Sequence, residues 1–244
     1  MRFAVIADIH GNALALEAVL ADIDVQGIVD ILNLGDHLSG PLEAARTADL
    51  ILTRDMVSVS GNHDRYLRGD PADLHEWEAD CWNELKPEHH AWLAELPFSR
   101  VWKEEVLLCH ATPRSDTIYW LETVSPEGVV HARPLAEVEA MAEGVSQSLI
   151  LCGHTHLARA VQLTDNRLIV NPGSVGCPAY DDDQPYPHRV EAGSPHAAYA
   201  LIERRDADWD VTFRRVPYDC EAAARLAEGK GRAQWARALR TGKN

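Results

Sequence analysis

Five short clusters in this sequence carry side chains that chelate metals or move protons: Asp8-Ile9-His10, Gly35-Asp36, Gly61-Asn62-His63-Asp64, His110 and Gly153-His154-Thr155-His156. Asp8 and His10 stand two residues apart, as do His154 and His156, so in extended backbone each pair projects to one side. Carboxylate, imidazole and amide oxygen form a hard-to-borderline donor set. It suits manganese, iron, zinc or a related divalent ion rather than copper(I) or an iron–sulfur cluster. Asp8, His10, Asp36, Asn62, His110, His154 and His156 exceed the needs of one ion and fit two ions sharing a bridge. Asp36 is the bridging candidate, because a carboxylate has two oxygens to offer. A single His or Asp behind a strand is most often a satisfied turn residue, but five such clusters in succession favour a common site.

The elements that must hold these clusters alternate along the first half of the chain. Phe3–Ala7 reads as a buried strand, and Asn12 caps a helix through Ile23, with Leu14, Ala18 and Ala21 on one stripe. Ile28–Leu34 is a second strand, Pro41–Thr53 a helix with Pro41 in its first turn, and Met56–Ser60 a third strand. This order implies parallel strands with right-handed crossovers. Residues 72–95 read as helical, and Trp77, Trp82 and Trp92 there as packing residues. After Pro97 strands dominate, at Val106–Cys109, Leu149–Cys152, Ala158–Leu163, Leu168–Val170, Ala197–Glu203 and Trp209–Val216. Helices are expected at Leu135–Glu143 and Glu221–Leu239, with the last four residues frayed. So many strands exceed one small sheet. An α/β domain spanning 1–244, with two packed sheets flanked by helices, is expected. Every cluster falls just behind an expected strand, where ligands of open α/β sheets bind.

Composition narrows the ligand. The 244 residues are 46% hydrophobic and 25% charged, an ordinary globular balance, with 38 acidic against 23 basic residues and a formal charge of −15. That charge repels nucleic-acid duplexes and anionic membrane surfaces, so a phosphate ligand needs a local source of positive charge. Two divalent ions supply roughly +4 against two carboxylates. The five cysteines are odd in number, scattered and never in a CxxC pair, which points to reduced thiols. No run approaches the ~20 apolar residues of a membrane span, and the apolar start is too short for a signal peptide. A soluble cytoplasmic protein is expected. No P-loop, GxGxxG or GxSxG occurs.

In order and spacing, the five clusters resemble the motifs of the calcineurin-like metallophosphoesterases. Asn171-Pro172-Gly173-Ser174-Val175 extends the resemblance, being similar to the run behind the last motif of small bacterial members. The resemblance implies a four-layer αββα sandwich of two mixed sheets flanked by helices. It implies Asp8, His10, Asp36 and His156 around one ion, Asp36, Asn62, His110 and His154 around the other, and His63 as the catalytic histidine. It also implies hydrolysis of a phosphoric ester or anhydride. The family's small phosphodiesterases and dinucleoside-polyphosphate hydrolases suggest a small phosphorylated substrate of nucleotide type. One departure is His110-Ala111, where many members have His-Gly; it leaves the ligand and changes the loop.

Around this centre several roles stay open. Asp64 either orients His63 or caps the following turn, and Arg65 either grips phosphate or is a solvated charge. His37, beside Asp36, is a candidate outer partner. The insert 112–144 and the irregular loop 178–195 reach the rim, carrying Tyr119, Trp120, Tyr180 and Tyr186 as rings that either stack on a substrate base or pack inside. Asp181-Asp182-Asp183 reads as a solvated loop face rather than a chelate. Competing functions are a phosphomonoesterase, a protein phosphatase, whose broad substrate the rim segments would restrict, and a scaffold without catalysis. The complete ligand set and His63 speak against the scaffold.

Overall fold

The computed structural model describes residues 1–244. Strands β1 (Arg2–Ile6), β2 (Ile31–Asn33) and β3 (Met56–Ser58) pair in parallel, joined by α1 (Ala13–Val25) and α2 (Ala44–Leu52). Alternation along β1 sorts its side chains: Ala4 and Ile6 pack among helical residues such as Leu16, Val19 and Ala48, whereas Phe3 and Val5 face a second sheet. The Asn12 side chain accepts the Ala15 N–H at 3.1 Å and starts α1 as expected. Helix α2 starts at Ala44 rather than at Pro41, with Glu43 at its N-cap. Strand β13 (Ala197–Arg205) adds antiparallel to β1, and β14 (Asp208–Val216) closes the order β14-β13-β1-β2-β3.

The second sheet has the order β4-β5-β8-β10-β9, built from β4 (Ser99–Trp102), β5 (Val106–Cys109), β8 (Leu149–Leu151), β10 (Leu168–Asn171) and β9 (Arg159–Gln162). Its central strands β5, β8 and β10 are parallel. Leu32, Leu34, Val106, Leu108, Leu149, Leu151 and Val170 join Phe3 and Val5 in the apolar layer between the sheets. On the far face, Leu107, Ile150 and Ile169 pack with Trp120 and with Val138 of α6 (Leu135–Met141). Helices α1, α2 and α5 (Pro87–Glu95) lie on one side and α6 on the other, giving the expected four layers with two mixed sheets. No helix is long and apolar enough to cross a membrane.

Strand β4 lies outside the expected elements. Its return into β5 runs through Lys103 (φ 47°) and Glu104 (φ 63°), left-handed positions that normally announce themselves by Asn or Gly. Residues 72–95 form two helices, α4 (Glu76–Trp82) and α5, because Pro87 has no N–H to continue a helix. The expected loop 178–195 instead contains a hairpin of β11 (Ala179–Asp182) and β12 (His188–Glu191). Tyr180 and Val190 point inward there and Arg189 outward, while Pro185 and Pro187 sit between the strands. Within 112–144, β6 (Glu122–Val124) and β7 (Val130–Ala132) form a second small hairpin ahead of α6. The C-terminal helix divides into α7 (Cys220–Gly229) and α8 (Ala233–Thr241) at Gly231, whose φ is 78°. The last residues are not frayed: Asn244 is buried and its side chain donates to Asp181 at 3.3 Å.

Candidate metal centre and its cavity

The five clusters lie behind the carboxyl ends of β1, β2, β3, β5 and β8, and the Asn171–Val175 run begins at the end of β10. Backbone hydrogen bonds stitch these loops together: Asp8 N–H to Gly35 C=O and His10 N–H to Asp36 C=O at 3.0 Å, and Gly153 N–H to His110 C=O at 2.6 Å. The turns are sharp enough to put Asp8, His10, Asp36, His154 and His156 in the left-handed region, with φ of 55°, 48°, 55°, 68° and 57°. Such positions cost non-glycine residues on the order of 1–3 kcal/mol and persist where surrounding structure over-determines them. Glycine is required where the loops touch. A Cβ on Gly61 would run into the Asp36 carboxylate, and one on Gly35 (φ 103°) would run into the backbone of Gly61.

These turns bring all seven expected donors into one place. Asp8, His10 and His156 offer ligand atoms within 4.8 Å of one another, and Asp36, His110 and His154 do the same. The Asp36 carboxylate stands between the groups, 3.9 Å from His10 Nε2 and 3.1 Å from His110 Nε2. Asn62 Oδ1 lies 3.1 Å from His110 Nε2. Each histidine is held from behind through its other nitrogen. His110 Nδ1 donates to Leu34 C=O (2.8 Å), His156 Nδ1 to Cys177 C=O (2.7 Å) and His154 Nε2 to Thr117 C=O (3.0 Å), while His10 Nδ1 meets Ser39 Oγ (2.9 Å). Donation to a carbonyl fixes the tautomer and turns the remaining lone pair toward the cluster, as a metal-ligating imidazole needs. Oxygen and nitrogen donors that are largely buried, with three of the four imidazoles fixed by a carbonyl, therefore fit divalent cations. Burial opposes charge on His110, yet the adjacent Asp36 carboxylate pulls its pKa up to about 9, so a cation bound there would displace a proton from Nε2. Burial and the neighbouring His110 push His154 down to about 4.

A cavity of about 830 Å³ opens over Asp36, Asn62, His154 and His156, and His63 forms part of its wall. The His63 backbone N–H donates to Asp36 Oδ1 at 2.9 Å. Its ring Nδ1 meets Glu78 Oε1 at 2.5 Å, and Trp77 stacks on the ring with centroids 5.0 Å apart and planes 13° apart. Burial disfavours a charged His63, but the Asp36 and Glu78 carboxylates outweigh it and hold the pKa above its ordinary value. Trp77 and Glu78 were not expected here. Their signal was faint: the adjacent His75-Glu76-Trp77-Glu78 in a segment that otherwise read as packing.

Other expected contacts resolve differently. The Asp64 carboxylate accepts the N–H groups of Gly61 (2.8 Å), Asp36 (2.9 Å) and His37 (3.0 Å) and pairs with His37 Nδ1 (2.8 Å). It braces the loop and makes no bond to the His63 ring, since both residues lie on the short helix α3 (Asn62–Tyr66), where successive residues do not face each other. The orienting role expected of Asp64 is corrected accordingly: the carboxylate on His63 is Glu78. Arg65 forms a bidentate pair with Asp116 at 2.6 and 3.0 Å and lies outside the cavity lining. Among the four rim rings only Tyr180 lines the cavity; its ring lies 4.7 Å from His156 and its hydroxyl bonds Tyr119 at 2.7 Å. Trp120 is buried in the outer core, and Tyr186 is exposed. Asp181, Asp182 and Asp183 line the cavity with Glu76 and Glu78, and no Lys or Arg does.

The sequence profile of the Calcineurin-like phosphoesterase superfamily domain matches residues 1–190. An uncharacterized protein of Methanocaldococcus jannaschii is 28% identical over 243 residues, an alignment covering 90% of this chain and 89% of that protein. The crystal structure of a metallophosphoesterase from Sphaerobacter thermophilus is similar with a TM-score of 0.73 at 25% identity, covering 99% of each chain. That of a candidate diadenosine tetraphosphatase has a TM-score of 0.53 at 16% identity, covering 88% of this chain and 94% of its own, a likeness of fold alone.

Proposed function

The chain belongs to the calcineurin-like phosphoesterase superfamily, and from that premise we propose that it hydrolyses phosphoric esters of small molecules with two divalent cations. Asp8, His10, Asp36 and His156 would hold one, and Asp36, Asn62, His110 and His154 the other. The observation that carries this reading is the convergence of these side chains beside one cavity, with each imidazole held from behind. Mn, Fe or Zn bound there supplies Lewis acidity at phosphoryl oxygens and lowers the pKa of water. His63 meets the Glu78 carboxylate through Nδ1 and is one-fifth exposed, which leaves Nε2 for a proton transfer to the leaving oxygen.

The lining also sorts substrates. With Glu76, Glu78 and Asp181–Asp183 around it and no Lys or Arg, the cavity offers no protein cation to a second phosphate. The reading therefore narrows the nucleotide expectation to esters with a single phosphoryl group, mono- or diesters, with dinucleoside polyphosphates as weaker substrates. Four of the five unpaired cysteines are buried, which suits a reducing compartment, and we place the enzyme in the cytoplasm.

The test is turnover with defined metals. Protein stripped by chelator and reloaded with Mn²⁺ is assayed on 4-nitrophenyl phosphate, bis(4-nitrophenyl) phosphate and a dinucleoside polyphosphate. Activity that disappears with the metal and returns with it, and that is highest on the single-phosphate esters, supports the reading. No turnover in fully loaded protein would leave the scaffold alternative in its place.

A further inference from the structure

We propose that Glu78, a residue outside every motif, is the positioning residue for His63, so that helix α4 supplies part of the working site. The inference rests on the functional reading above, in which His63 gives a proton to the leaving oxygen. The Glu78 side chain is completely buried, its Oε1 meets His63 Nδ1 at 2.5 Å, and its Oε2 has no hydrogen-bond partner in the protein. A buried carboxylate is costly unless paired, and this one has an imidazole as its single side-chain partner. Nothing in the packing asks for a charge at this position, because Gln or an apolar residue would fill the same volume at lower cost. The arrangement makes sense as a device acting through His63. A carboxylate on Nδ1 holds the proton there, keeps Nε2 on the cavity side and steadies the imidazolium, the logic by which a buried carboxylate serves a catalytic histidine elsewhere.

The surroundings narrow the choice to Glu78. Asp64 is spent on Gly61, Asp36 and His37, and Ser39 is turned toward His10. Trp77, one residue before Glu78, stacks on the same imidazole and restrains its rotation. Helix α4 is itself anchored in advance, with Cys81 in the core and Asp80 held by the Arg232 guanidinium at 2.7 and 2.8 Å. The position of the carboxylate and of the imidazole is therefore set before substrate enters, as a preorganised site requires.

The experiment compares wild-type, Glu78→Gln, Glu78→Asp, His63→Ala and the Glu78→Gln/His63→Ala double variant, each loaded with Mn²⁺ and checked for metal content and thermal unfolding. Rates are read on phenyl and 4-nitrophenyl esters of the same phosphoryl group, since a poor leaving group needs the proton and a good one does not. Glu78→Gln is expected to lower kcat on the phenyl ester about 10–100-fold, the range for partners that orient functional histidines, with KM and metal content unchanged. The loss on the 4-nitrophenyl ester is much smaller, Glu78→Asp recovers part of the rate, and the double variant is no slower than His63→Ala. Ring resonances of His63 in 15N-histidine-labelled protein loaded with diamagnetic Zn²⁺ shift in Glu78→Gln independently of turnover. Equal losses on both esters, a loss that adds to that of His63→Ala, or an unchanged rate with unmoved His63 resonances overturns the proposal and leaves the phosphoesterase reading intact. Absence of turnover by the metal-loaded wild type overturns that reading and this proposal together.

Discussion

Two regions meet at the cavity, and they are built in different ways. The floor consists of loops behind parallel strands, where successive turns fix Asp8, His10, Asp36, His110, His154 and His156 by backbone hydrogen bonds and left-handed dihedrals. The wall consists of α4 and the β11–β12 hairpin, which present Trp77, Glu78, Tyr180 and Asp181–Asp183 across the opening. Floor residues are placed by sharp turns and by backbone hydrogen bonds between the loops of adjacent strands, whereas wall residues are placed by docking of whole elements. On the proposed reading, metal ligation, which tolerates little positional error, would fall to the over-determined floor, and proton delivery and substrate choice would be shared with the wall that packing positions.

Breaking the floor has the largest expected effect. Asp36→Asn removes charge from the carboxylate between the two donor groups, and turnover should fall by roughly 10³-fold or more, given several kcal/mol from metal chemistry. Elemental analysis should show reduced metal content in the same protein; full metal and full rate would detach the loops from metal binding. Next comes His63, where floor and wall touch. His63→Ala should keep its metal and lose ~10²–10⁴ in kcat, the span of a positioned acid. A parallel loss of metal would make His63 a ligand instead.

Changes in the wall alone are smaller and sharpen the contrast. Trp77→Phe keeps a ring against His63 with less area, and kcat should drop about two- to tenfold, in line with ~0.5–1.5 kcal/mol for an aromatic pair. Metal content should stay constant, and a variant that loses metal would show that wall and floor are one unit. The smallest effect is electrostatic. Asp183→Asn removes one exposed charge from the lining and should raise kcat/KM for a dinucleoside polyphosphate about two- to fivefold at low salt, in keeping with ~0.2–1 kcal/mol for exposed charges. The gain should fade as ionic strength rises, because solvent-exposed charges are screened. A salt-independent gain would point to shape rather than charge.

Legibility in the sequence follows the same division. The pairing of Asp8 with His10, and of His154 with His156, was readable from their two-residue spacing, although the pairs are brought together by left-handed turns and not by the extended backbone expected. The two-sheet architecture was readable from the count of strands, which exceeds one small sheet, whereas the sorting of Phe3 and Val5 to one side of β1 and Ala4 and Ile6 to the other emerged only from the packing. By contrast, β4 was hidden because its turn uses Lys103 and Glu104 at left-handed dihedrals in place of the usual Asn or Gly. The hairpin at 179–191 was hidden by prolines that looked like breakers and lie between or beside its strands. Asp64 was left open between orienting His63 and capping the turn, and the helical geometry decides it by turning the carboxylate to the backbone of Gly61 and the neighbouring loop.

The sequence by itself determined which candidate donors the loops carry and the order in which strands present them. Those properties depend on residue type, on spacings of two or three, and on glycines at turns where loops approach closely. Only the tertiary structure decided which carboxylate meets His63, which of four rim rings reaches the cavity, and what charge lines it. Glu78 lies fifteen residues beyond His63 and reaches it because α4 is docked by Arg232, a further 152 residues beyond Asp80. Such meetings depend on how helices and hairpins pack, and local spacing carries no record of that.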